Sequence, residues 1–257
     1  MPINLRSGAL LRLRSVAVDK FLEQHLGMRL QESISNNTGH IPSIPDTITL
    51  RLSEIRGQKN RCALGFLENG TQVFAKFYST NTSAQRNGLL QELNFLVDQR
   101  IQPLQFPNHD SAAEHEDQVD IPFVPRLLGL FEEVDPDGER CARIILLPAI
   151  SSSFLTIKQL SAMGALSPQV HRLLFARAST ALGTLHEHGY LHGDISHGNF
   201  LFHIADSLDD SRVLVVDFEK ASTRSKANFE AAARGEKAIL LRLFLTYGAT
   251  KEELLAA

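Results

Sequence analysis

Three oxygen-bearing side chains, Asp194, Asn199 and Asp217, carry the clearest chemical signal in this chain. Asp194 closes the run His192-Gly193-Asp194, Asn199 follows five residues later, and the apolar Val213-Leu214-Val215-Val216 delivers Asp217-Phe218-Glu219. Phosphoryl transfer from ATP needs a carboxylate to orient the attacking hydroxyl and oxygen ligands to hold Mg²⁺ against the triphosphate; what remains is positioning and charge neutralisation. Asp194 suits the first task, and Asn199 with Asp217 the second. A five-residue loop returns Asn199 to the side of Asp194, and a hairpin of Phe200–Phe202 with Val213–Val216 presents Asp217 from its far end. His186, His188, His192 and His197 crowd the same region, so a metal-dependent hydrolase is the competing chemistry. Its spacing is wrong, because His186 and His188 fall at a helix end and not on one helical face.

These groups need a scaffold. Thr47–Leu52 alternates as a strand does, Cys62–Leu67 reads as a second strand, and Asn69-Gly70 marks a tight turn into a third, Thr71–Tyr78. Lys76 sits in that third strand among Phe74, Phe77 and Tyr78, where its charge is costly without a partner. A helix follows over about Ser83–Gln99, with Leu89, Leu90, Leu93 and Leu96 as its apolar stripe and Glu92 as its only carboxylate before Asp98. Arg126–Glu133 and Ala142–Leu147 form a strand pair around Asp135-Pro136-Asp137-Gly138. Ser167-Pro168 then caps a long helix that ends at His188-Gly189, and another spans about Phe229–Tyr247.

HGDxxxxN followed by a hydrophobic strand and Asp-Phe resembles the catalytic and metal-binding loops of the protein kinase-like superfamily. The resemblance covers roughly residues 46–247. It implies an α+β, bilobed protein kinase-like fold, with an antiparallel-sheet small lobe bearing one helix and a minimal, mainly helical large lobe. The chain then divides into an N-terminal extension (1–45), a small lobe (46–150) and a large lobe (151–257). ATP and Mg²⁺ are the implied cofactors. The resemblance makes Asp194 the catalytic base and Asn199 and Asp217 the metal ligands, and it puts Lys76 on the α- and β-phosphates, oriented by Glu92. It also places adenine against the Pro148 carbonyl and the Ile150 N–H, with Phe74 as roof and Leu201 as floor; the N–H that proline lacks is not used there.

Departures from the pattern bear on the acceptor. Residues 54–61, between the first two strands, hold one glycine where the family often has three, although Lys59 and Arg61 add charge. Gly193 stands where regulated protein kinases carry an arginine, as it does in aminoglycoside- and choline-type phosphotransferases and lipopolysaccharide kinases. Glu219 replaces the usual glycine after Asp-Phe, and no APE motif follows. These features favour a small-molecule or unusual macromolecular hydroxyl acceptor, with a protein partner completing the small large lobe. The alternatives are a compact Ser/Thr protein kinase and a nucleotide-binding pseudokinase scaffold.

Bulk properties narrow the rest. A chain of 257 residues, 43% hydrophobic and 21% charged, can bury a substantial core. A net charge of -3 gives no general attraction to nucleic acid, and no apolar run is long enough to span a bilayer, so neither nucleic acid nor membrane is expected as a partner. Cys62 and Cys141 lack metal-ligand spacing and point to a reducing compartment, so a cytoplasmic location is expected. Arg6, Arg12 and Arg14 precede the first acid, Asp19, which also suits a mitochondrial transit peptide. The favoured expectation for Met1–Val18 is an amphipathic helix on the small lobe, with helix continuing from about Ser15 to Leu30, and the acidic stretch Pro107–Asp117 is expected to be a solvated loop.

Overall fold

The structure is a computed structural model that describes residues 6–26, 46–56, 61–79, 82–98, 123–134, 140–223 and 226–255. It divides into two compact units, residues 1–99 with 126–150, and residues 100–125 with 151–257. Both are mixtures of helix and antiparallel sheet.

Among the described residues the first unit is built on six strands: β1 (Leu10–Val16), β2 (Thr47–Arg56), β3 (Cys62–Leu67), β4 (Gln72–Ser79), β5 (Gly129–Val134) and β6 (Arg140–Pro148). They close into an antiparallel barrel in the order β1-β2-β3-β4-β6-β5, which leaves no sheet edge unpaired. Helix α1 (Val18–Leu26) follows β1, and α2 (Ser83–Leu96) follows β4.

The strand β1 corrects an expectation, since this stretch reads as part of an amphipathic helix. Leu11 and Leu13 alternate with Arg12 and Arg14, and that period of two is the period of a strand. Leu13 is fully buried in the barrel core, while Arg14 lies opposite Glu132 of β5 and donates to its carboxylate through Nε at 3.1 Å. Helix begins only at Val18, so the helix anticipated over Ser15–Leu30 is shorter at its start. The rest of that stretch, the turn-rich residues up to 45, Gly57 to Asn60 of the glycine-poor loop and the acidic insertion lie outside the described residues.

Barrel closure demands small residues where strands approach. The core of Leu13, Leu50, Leu52, Val73, Phe77 and Phe131 is accommodated by Ala63 and Ala75, and by Gly65 on β3. A Cβ on Gly65 would come within 2.7 Å of Leu50 Cδ1 and 2.8 Å of the Arg51 carbonyl oxygen, and the backbone oxygen cannot swing aside. Gly65→Ala is therefore expected to destabilise the protein by about 1–3 kcal/mol. Urea denaturation checks this as a lower midpoint with an unchanged slope.

The second unit carries β7 (Leu155–Thr156), α3 (Ile157–Ala162), α4 (Pro168–Glu187), β8 (Phe200–His203), β9 (Arg212–Val215), α5 (Lys226–Thr246) and α6 (Lys251–Leu255). The three strands form a small antiparallel sheet in the order β7-β8-β9. Helix α4 starts where the sequence places it: Ser167 Oγ accepts the Val170 N–H at 3.3 Å, and Pro168 opens the first turn. The helix stops at Gly189, whose φ of +81° suits glycine. Helix α3 is not foreshadowed by periodicity, being too short, but Thr156 and Gln159 form a capping box that marks its start. Phe244 of α5 packs edge-on against Phe175 of α4 and Phe202 of β8, with ring centroids 5.3 and 6.0 Å away. Among the described residues no helix is long and apolar enough to cross a membrane.

Candidate active site

In β4, Val73, Ala75 and Phe77 point into the barrel core, so Phe74, Lys76 and Tyr78 share the opposite face. Helix α2 packs against this strand and presents Glu92. Lys76 Nζ lies 2.7 Å from Glu92 Oε2, and Tyr78 donates its hydroxyl to the same oxygen. Lys76 and Glu92 are 6% and 1% exposed, a burial that neither charge would tolerate alone. Phe74 stands opposite Leu147 and is half-buried. Pro148 ends β6 opposite Val73, and Ile150 follows, half-buried. Leu201 belongs to the second unit, where it pairs with Thr156 of β7 and Leu214 of β9.

The second unit brings Asp194, Asn199 and Asp217 together through backbone geometry. Phe200 pairs with Val215, so Asn199 and Val216 flank the same end of the β8–β9 hairpin, and the Val216 N–H donates to the Asn199 carbonyl at 3.0 Å. Asn199 Nδ2 donates to the Asp194 carbonyl at 2.8 Å, which leaves Oδ1 as the amide's acceptor. The backbone at Asp217 has φ +69°, the one non-glycine positive φ among the described residues, and such strain is typically held in place at working sites. The Asn199 amide oxygen and the Asp217 carboxylate are hard oxygen donors at one hairpin end. They fit Mg²⁺, which takes one or two carboxylates and completes its shell with phosphate oxygens and water.

His192 ties the loop to the segment carrying Asp217. It is fully buried between Phe200 and Phe218, with ring centroids 6.1 and 5.1 Å away. Its Nε2 lies 3.1 Å from the Val216 carbonyl, which can only accept, so Nε2 carries the proton and Nδ1 accepts the Asp194 N–H at 3.3 Å. Burial holds its pKa below the ordinary 6.5 in spite of the nearby carboxylates Glu236, Asp217 and Asp194, and the ring is neutral. Gly193 has φ +78°, and a Cβ there would stand 2.3 Å from the Lys220 carbonyl oxygen. The close approach of Lys220 explains the glycine that the sequence shows only as a missing arginine.

One residue that organises this loop, Glu236 of α5, gives no sign of itself in the sequence. Its carboxylate is buried and accepts the Gly193 N–H at 2.6 Å, the His192 N–H at 3.1 Å and His186 Nε2 at 2.8 Å. Burial alone would raise its pKa, but the hydrogen bonds from His186, Gly193 and His192 outweigh that and hold the carboxyl below the ordinary 4.5. Together with His188, whose Nδ1 meets the Thr184 carbonyl at 2.8 Å, these contacts give His186, His188 and His192 structural partners.

Both shifts make the fold acid-sensitive. Below 6.5 the unfolded chain protonates His192 while the folded protein resists, and below 4.5 it protonates Glu236 in the same way. In each window the unfolded state binds more protons, so stability falls as pH drops towards the folded pKa. Urea midpoints followed on acidification are expected to decline in two stages, and a midpoint that holds steady or rises would contradict this.

No curated protein sequence matches the chain. The sequence model of the lipopolysaccharide kinase (Kdo/WaaP) family matches residues 124–254, just over half of the chain. A crystal structure of Rad53 1-466 in complex with AMP-PNP is similar in fold, with a TM-score of 0.50 and 18% identity, covering 80% of this chain. The chain spans about half of that structure, 52% of its length.

Proposed function

Because the chain belongs to the lipopolysaccharide kinase (Kdo/WaaP) family, we propose that it is an atypical, ATP- and Mg²⁺-dependent kinase whose acceptor is a small-molecule hydroxyl, a lipopolysaccharide saccharide being the first candidate. The first unit then serves as the antiparallel-sheet small lobe and the second as the mainly helical large lobe of a bilobed kinase, both acting on one nucleotide. The observation that carries the reading is the loop in which the Asn199 amide ties Asn199 to Asp194, and His192 ties Asp194 to Val216, the residue before Asp217.

In this mechanism Asp194 accepts the acceptor's hydroxyl proton as the hydroxyl oxygen bonds to the γ-phosphorus. The bond from that phosphorus to the bridging oxygen breaks, and ADP leaves with its electron pair. Lys76, oriented by Glu92, neutralises the α- and β-phosphates. Asn199 and Asp217 would hold Mg²⁺, which would supply charge neutralisation to the phosphates. Phe74, Pro148, Ile150 and Leu201 hold the adenine.

Incubation with γ-labelled ATP and Mg²⁺ tests this against three acceptors: lipopolysaccharide stripped of core phosphate, a panel of small-molecule alcohols, and a generic protein. Label is expected in the saccharide or a small molecule. Label in protein alone would make the chain a compact Ser/Thr protein kinase. No label, together with no nucleotide-induced rise in melting temperature, would defeat the reading.

A further inference from the structure

Lys220 lies just beyond Asp217 and has no part in the mechanism above. Its Nζ stands 3.1 Å from Asp194 Oδ2, with the lysine side chain 63% exposed and the aspartate side chain 37% exposed. An ion pair in that much solvent contributes little to stability. The backbone at this point is nonetheless firmly placed. Leu191 and Ser222 exchange two hydrogen bonds, at 2.9 and 3.0 Å, the Ala221 N–H donates to the Phe218 carbonyl at 3.0 Å, and Ala221 is 4% exposed. The Lys220 carbonyl presses so close to residue 193 that only glycine fits there. The chain thus fixes the root of a lysine against the loop bearing the base and leaves the ammonium end movable in solvent.

Resting on the kinase reading, we infer that Lys220 is a further catalytic residue whose ammonium neutralises the γ-phosphoryl during transfer. The hydroxyl that gives its proton to Asp194 becomes bonded to the γ-phosphorus, so the phosphoryl oxygens pass within one bond of the group facing Asp194. A cation touching Asp194 Oδ2 is within a side-chain rotation of those oxygens. A lysine suits this task, being a compact charge on a flexible stem. Before substrate binds, the same ammonium holds the Asp194 carboxylate in place, and it exchanges that oxygen for the phosphoryl oxygens as negative charge spreads onto them.

The test compares the unmutated protein, Lys220→Ala and Lys220→Arg for phosphate release from Mg·ATP with water as acceptor, and for label transfer to dephosphorylated lipopolysaccharide. Lys220→Ala is expected to lower kcat about 10²–10³-fold, with the KM for ATP and the melting temperature unchanged. Lys220→Arg is expected to retain a larger share of activity, and ethylammonium added to Lys220→Ala to restore part of it, since the site is open to solvent. The inference is overturned if Lys220→Ala keeps kcat within about twofold of the unmutated protein, or loses it together with melting temperature and without rescue by ethylammonium. An unmutated protein that transfers no phosphate would defeat the kinase reading itself, an outcome distinct from either of these.

Discussion

Asp194→Asn lowers kcat for phosphoryl transfer about 10²–10⁴-fold, while the melting temperature and the affinity for Mg·ATP stay close to those of the unmutated protein. The substitution keeps the shape of the side chain and removes only its ability to take a proton. Both hydrogen bonds that hold the residue in its loop, the N–H to His192 and the carbonyl from Asn199 Nδ2, are made by its backbone and survive the change. The side chain is 37% exposed and its ion pair with Lys220 is solvated, so stability does not rest on it. Activity and stability therefore separate cleanly at this position. Steady-state rates with a saturating acceptor, beside a thermal melt with and without nucleotide, make the comparison; a kcat within about tenfold of the unmutated value would remove Asp194 from the role of base.

Much of this site is legible in the sequence because its parts are local. Asp194 and Asn199 share one loop, and Asp217 follows a strand whose hairpin partner begins beside Asn199, so spacing alone puts the three at one end of β8 and β9. Lys76 and Glu92 are legible for a related reason: a charge in a half-buried strand needs a counter-ion, and the next helix offers a single carboxylate on its buried side. Glu236 fails both conditions. It lies on a distant helix where a lone glutamate is ordinarily solvated, and its partners are mainly backbone N–H groups that no sequence pattern advertises. Lys220 is hidden in the same way, since its place beside Asp194 depends on the positive φ and missing side chain of Gly193. Strand β1 is misread because arginines spaced among leucines satisfy the helical pattern as well as the alternating one. The decision rests on Leu13 finding a barrel core and Arg14 finding Glu132, and both partners come from far along the chain.

Glu236→Ala is expected to be the most damaging change outside the reacting groups, because it leaves the His192 N–H, the Gly193 N–H and His186 Nε2 without the acceptor they share. The positive φ at Gly193 fixes the direction of that N–H, so the loop cannot turn it elsewhere without moving Asp194. Of these donors the His192 N–H is buried and the other two are partly reached by solvent, so a loss of about 1–3 kcal/mol is expected, set mainly by the one donor left unsatisfied. The displaced loop should also lower kcat by about 10²-fold, the effect of moving a catalytic group by roughly 1 Å. Glu236→Gln separates the two losses. It keeps one acceptor oxygen but turns the other atom into a donor facing donors, so it should fall between the unmutated protein and Glu236→Ala in both stability and rate. Urea denaturation gives the first quantity, and kcat measured at a temperature where every variant remains folded gives the second. If Glu236→Ala loses stability but keeps kcat per folded molecule, the His192 contacts to Val216 and to Asp194 suffice to aim the base, and Glu236 only braces the helix against the loop. If kcat falls in proportion to the acceptors removed, α5 sets the position of Asp194 through this one carboxylate.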